Sequence, residues 1–212
     1  MSKIAKPAVV AAIIGPIQNI SGWLIAGTVA STIHTDIWPG YDGVRQTISE
    51  LASPESPVLL IMSSFFVLGG VLSLIAGVYA RALAWPGRAA IFIGGLCMFG
   101  ITVYPTPLIG YSVEHRVFAI VSFVLFSAWP LLSMRFGKSA PRLLRPAVSI
   151  AVTLIFTAVS LWFLFTWTDP AAPTTGVLER LLSFIQTAWL SVVVLDTWRA
   201  QKLAGSNNSL AS

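Results

Sequence analysis

The chain has only one cysteine and two histidines, and charged residues make up only 10% of its 212 positions. The lone thiol, Cys97, excludes an intrachain disulfide and a thiolate metal cluster, and its place inside an apolar run marks it as a small buried hydrophobe. His34 and His115 lack the paired spacing of a metal motif, so neither a metal nor a cofactor is expected. A Gly-x-Ser-x-Gly nucleophile elbow is missing. Charged residues are missing from the middle of every long apolar stretch, which counts against ion-coupled transport.

What is present is hydrophobic: 56% of the residues are apolar and the mean hydropathy is +0.81. Six stretches run at about Pro7 to Ile33, Pro57 to Ala80, Ala89 to Leu108, Val113 to Met134, Ala147 to Trp167 and Val177 to Leu195. Each is near the ~20 residues a helix needs to cross about 30 Å of hydrocarbon, where only internally bonded backbone survives. The expected fold is an all-α integral membrane protein, with six transmembrane helices in one compact antiparallel bundle over residues 1–203. A Gly/Ser/Asn-rich tail at 204–212 is expected to be disordered. The basic N-terminus resembles a signal peptide, but its apolar run exceeds the ~7–15 residues of a signal core and reads as a retained first span.

The charges sort by side. One face holds Lys3, Lys6, Arg81, Arg88, Arg135, Lys138, Arg142, Arg145, Arg199 and Lys202; the other holds Arg45, Arg116 and Arg180. The positive-inside rule makes the first face cytoplasmic, with both termini there, in a multi-pass protein of a cell membrane (inner or plasma membrane if prokaryotic). Every carboxylate but Asp196 falls outside. The net charge of +5 therefore describes orientation and calls for no nucleic-acid partner.

Small residues at four-residue spacing, Gly69, Ser73 and Gly77, form a seam on the second span that suits close packing, within the bundle or against a membrane-protein partner. Pro16 and Pro130 lie inside spans and predict kinks. The first outer loop, His34 to Ser56, is long enough to have its own structure. Val44, Ile48 and Leu51 share one helical face, which predicts a short amphipathic helix over 43–52 at the outer interface. Thr47-x-x-Glu50 also matches a capping box, a purely structural use of Glu50.

Ionisable groups gather at the outer mouths of the spans. His115, Glu50 and Glu179 are candidate catalytic groups, a general base with a carboxylate to orient it. Arg45, Ser49, Arg116, Arg180 and Asp42 are candidate ligand-binding groups. Carboxylates in a first helical turn behind an N-cap such as Ser112 also suit the helix dipole, so a structural ion network stays open beside a ligand site.

The run Gly40-Tyr41-Asp42-Gly43-Val44-Arg45-Gln46-Thr47-Ile48-Ser49-Glu50-Leu51, Gly15-Pro16 in the first span, Glu114-His115-Arg116 and the Glu179-Arg180 pair together resemble a six-helix prokaryotic membrane family known as domain of unknown function 998. The resemblance spans nearly the whole chain and implies the fold without an activity. More distantly, Ile48-Ser49-Glu50 before Pro54 and Pro57 is similar to the Ile-Ser-Asp pattern of the damage-regulated autophagy modulator and GPI-remodelling group, with Glu50 in the Asp position. That likeness implies a lipid connection at the outer leaflet or lumen. The leading expectation is an outward pocket that binds a lipid headgroup or other anionic amphiphile. The alternatives are a lipid-modifying enzyme using His115 and a non-catalytic scaffold that docks through the small-residue seam.

Overall fold

Apolar runs near membrane length, opened by Pro7, Pro86 and Pro146 in first turns and broken by Pro105 and Pro107, become helices with short links. In a computed structural model describing residues 3–137, 140–169 and 171–210, these are α1 (Lys6–Thr32), α2 (Leu59–Tyr79), α3 (Trp85–Val103), α4 (Val113–Leu132), α5 (Pro146–Trp167) and α6 (Thr175–Leu210). All six are long and apolar enough to cross a membrane. Among the described residues no strand forms, and the protein has the all-helical, multi-pass fold expected of it.

Each helix packs on its chain neighbours and α6 returns to α1, so the six form a closed ring. Pro16 lacks the N–H that would bond the Ala12 carbonyl. The Ser191 hydroxyl of α6 donates to that carbonyl and ties the ring shut. The end carrying the first long loop is termed outer, following the charge bias.

Two apolar clusters cap the ring. At the basic end Ile4, Ala8, Leu83, Ile91, Trp129 and Val194 pack together. At the outer end Trp38, Ile48, Leu51, Val58, Met62 and Phe66 do so. The outer cluster is built by the first loop, whose Trp38 indole donates to the Ala30 carbonyl at the end of α1 (3.0 Å).

Two expectations are corrected. Residues 43–52 form no single amphipathic helix: a turn at 43–46 leads into a 3-10 turn, Ser49–Ala52, whose Ile48 and Leu51 are buried while Val44 faces out. The reciprocal capping box explains the shape, because the Thr47 hydroxyl accepts from Glu50 N and the Glu50 carboxylate from Thr47 N, both at 3.2 Å, and starts the helical turn there. Helix α6 continues through Leu210 and takes in residues 204–210 of the tail, since each added residue extends an existing helix without a new nucleus. Residues 211–212 of that tail, and Lys138, lie outside the described residues. The small-residue seam is occupied within the chain. A side chain at Gly70 or Gly77 would strike Gly95 or Phe92 of α3, and one at Gly69 would meet Gln18 of α1. The backbones approach too closely to leave that face for a partner.

Candidate functional site

The first turns of α6 hold the outer loop in place. Arg180 Nη1 donates to the carbonyls of Gly43 (2.7 Å), Gln46 (3.2 Å) and Gly176 (2.7 Å), and Nη2 donates to the Tyr41 hydroxyl. Tyr41 in turn donates towards the carbonyls of Thr47 (2.9 Å) and Gln46 (3.2 Å). Burial pushes the Tyr41 hydroxyl well above the ordinary tyrosine range, against the opposing charge of Arg180, so it remains a donor. The guanidinium also lies against the faces of Tyr41 (5.5 Å) and Trp23 (5.6 Å). On the inward side of the same turn, the buried Glu179 carboxylate accepts from Ile48 N and from Ser49 Oγ (3.4 Å). Gly176 is required beneath this latch because a Cβ there would collide with the Gln46 and Gly43 carbonyls.

The remaining candidates point in separate directions. At the start of α4 the Ser112 hydroxyl caps His115 N (3.1 Å), as an N-cap should. Glu114 is exposed, Arg116 lies over Tyr111 (4.3 Å) and Trp167 (5.4 Å), and His115 is buried with Nδ1 on the Tyr104 carbonyl (2.9 Å). The group that orients the His115 imidazole is a backbone carbonyl and not the carboxylate that the sequence offered. Arg45 stands in solvent with a loose 3.8 Å contact to Asp42. Thus Glu179, Ser49 and Glu50 come together beneath the loop and Arg180 fastens it, whereas His115, Arg116, Arg45 and Asp42 do not join them.

Below the latch lies an intramembrane slot of about 120 Å³, lined by α1, α2, α3, α4 and α6. Its outer end is formed by Ile48, Ser49 and Glu179 and its inner end by Ala12, Trp129 and Ser191. At 1.5 Å rise per residue, Glu179 to Ser191 spans about 18 Å, so the slot is narrow. One side is polar: Glu179, Ser183, Gln186, Thr187 and Ser191 of α6, with Gln18 and Asn19 of α1. The other is apolar, with Met62, Phe65, Phe66, Ile101, Phe123 and Phe126 among its residues. The inner cluster closes it towards the basic end.

The sequence suggests a bond between Asn19 and Gln186. The structure instead has Gln186 Nε2 donating to Ser127 Oγ (2.9 Å) and the Phe123 carbonyl (3.3 Å) on α4, and Asn19 Oδ1 is buried without a donor. The α6 stripe was the signal to find: polar residues at 179, 183, 187 and 191 recur every four residues within an otherwise apolar helix. Tyr41, Gly43 and Gly176 had no such period, since their roles depend on where the loop folds back.

A family model described as "Protein of unknown function (DUF998)" matches residues 13–196, nearly all of the helical ring. No curated protein and no solved structure matches the chain.

Proposed function

The chain belongs to the DUF998 family, which brings a fold and no assigned activity, and from its own geometry we propose that it binds the headgroup of a membrane amphiphile in the slot between its helices. The carrying observation is the slot itself, a two-sided cavity reaching from a buried carboxylate at the outer end into the membrane-spanning part of the bundle. Its volume is near the ~150 Å³ that admits a benzene-sized molecule, which suits a headgroup of a few heavy atoms better than a whole acyl chain. The outer loop is its roof and the apolar inner cluster its floor, so exchange is with the outer side. The charge-based expectation of an anionic head has less support, because Arg45, Arg116 and Arg180 do not line the slot.

The test is mass spectrometry of lipids that co-purify with the full chain and with a Ser122→Leu variant, which fills the slot from α4. Loss of a bound lipid class in the variant, at matched thermal stability, supports the reading. Identical lipid content in both would sink it.

A further inference from the structure

The α6 part of the polar side is a surface of acceptors. A serine or threonine has a single O–H to donate and two lone pairs to accept with. Here the hydrogens are already committed to helix carbonyls. Ser73 donates to Gly69 (2.9 Å), Ser122 to Ala119 (2.8 Å), Ser183 to Arg180 (3.1 Å), Thr187 to Ser183 (2.8 Å) and Ser191 to Ala12 of α1. Ser49 donates to Glu179 and both Nε2 hydrogens of Gln186 go to α4, which leaves carboxylate, hydroxyl and amide oxygens for an occupant. Gln18, about nine-tenths buried, lines the same space, where its amide can turn either its oxygen or its N–H groups to an occupant. The Asn19 Oδ1 acceptor is buried without a donor.

The charge is one-sided too. Glu179 is the one ionisable residue among those lining the slot, and no lysine or arginine lines it. Arg180, next in sequence, is turned to the loop carbonyls and faces an outer groove with Trp23 and Tyr41. A lone carboxylate in a low-dielectric interior favours an occupant that brings a positive charge and N–H donors. The aromatic side, Phe65, Phe66 and Phe123 among its residues, offers surface for the carbon stem of such an occupant.

We propose that the occupant is an organic ammonium carrying N–H donors, of about six heavy atoms or fewer, with its nitrogen at Glu179 and its carbon stem against the aromatic side. This rests on the slot being the binding site. The shared chemistry is met by an ethanolamine-type lipid head or by a free primary amine.

The experiment uses the full chain in phosphatidylcholine nanodiscs, titrated with pentylammonium, 1-pentanol and tetramethylammonium and read by calorimetry. Pentylammonium is expected to bind at least tenfold more tightly than either the uncharged isostere or the cation without N–H groups. Glu179→Gln is expected to abolish that preference. The ligand series on the unmodified protein decides the matter even if the variant fails to fold. Native mass spectrometry in nanodiscs containing phosphatidylethanolamine separates the sources. Retention of that lipid, displaced by pentylammonium, identifies a lipid head. Pentylammonium binding without lipid retention identifies a free amine, which overturns the amphiphile reading and keeps the ammonium one. Equal affinity for pentanol and pentylammonium overturns the ammonium proposal, whatever lipids co-purify.

Discussion

Replacing Arg180 with glutamine removes the group that holds the outer loop to α6. The guanidinium makes two 2.7 Å bonds, to the carbonyls of Gly43 and Gly176, besides its contacts with Gln46 and Tyr41. Hydrogen bonds to a charged donor contribute about 1.5–3 kcal/mol each, and a half-buried site lets water recover part of that when the donor goes. Counting the two short bonds near the lower bound gives about 3 kcal/mol. At ~1.4 kcal/mol per tenfold, the opening equilibrium of residues 41–52 shifts by roughly 100-fold. Hydrogen exchange reads this directly through the amides of Ile48, Leu51 and Gly176, which donate to Glu179, Ile48 and Val44 respectively. Their protection is expected to fall about 100-fold while α3 and α4 stay unchanged. Arg45→Gln is the control, since its exposed 3.8 Å contact contributes less than about 0.5 kcal/mol. Unchanged exchange in Arg180→Gln would refute the latch, and so would an equal loss of protection in all helices.

Gly176→Ala puts a methyl group onto the Gln46 and Gly43 carbonyls, so a destabilisation of about 1–3 kcal/mol is expected, visible as a lower thermal midpoint. His115→Phe leaves the Tyr104 carbonyl without its donor at a cost of about 1–3 kcal/mol, and bound lipid should be retained; loss of lipid at unchanged stability would place His115 in contact with the ligand. For Tyr41 the folded-state pKa lies above the unfolded value of about 10. Its contribution is therefore full below about pH 10 and declines above it as the unfolded tyrosine ionises, until the folded group titrates as well. Tyr41→Phe should flatten that alkaline loss in thermal melts taken between pH 8 and pH 11.

Hydropathy alone located all six helices, because a lipid-crossing segment must be long, apolar and backbone-satisfied, and prolines marked several starts and stops. The capping box at Thr47 and Glu50 was also legible, as was the Ser112 cap. The helical period of 43–52 misled because periodicity says which side chains share a face and nothing of where the chain must turn to meet Glu179. Glu114, His115 and Arg116 are consecutive in sequence, yet successive helical residues diverge by about 100°, so the three look to solvent, to α3 and to aromatic rings. Whether charges converge depends on helix rotation, which one sequence does not encode in any single motif.

The ring closes through its first and last helices, and this sets an order on biogenesis. At ~5–20 residues per second the ribosome takes roughly ten to thirty seconds between releasing α1 and completing α6. Throughout that interval the Ala12 carbonyl, stripped of its ordinary donor by Pro16, sits at membrane depth without Ser191 to satisfy it. An unsatisfied polar group in hydrocarbon costs several kcal/mol, so the growing chain has reason to remain beside the insertion machinery or an auxiliary insertase until α6 docks. Before α6 arrives the slot lacks Glu179 and the hydroxyl stripe that runs from Ser183 to Ser191, so the ligand site is assembled only when that helix docks.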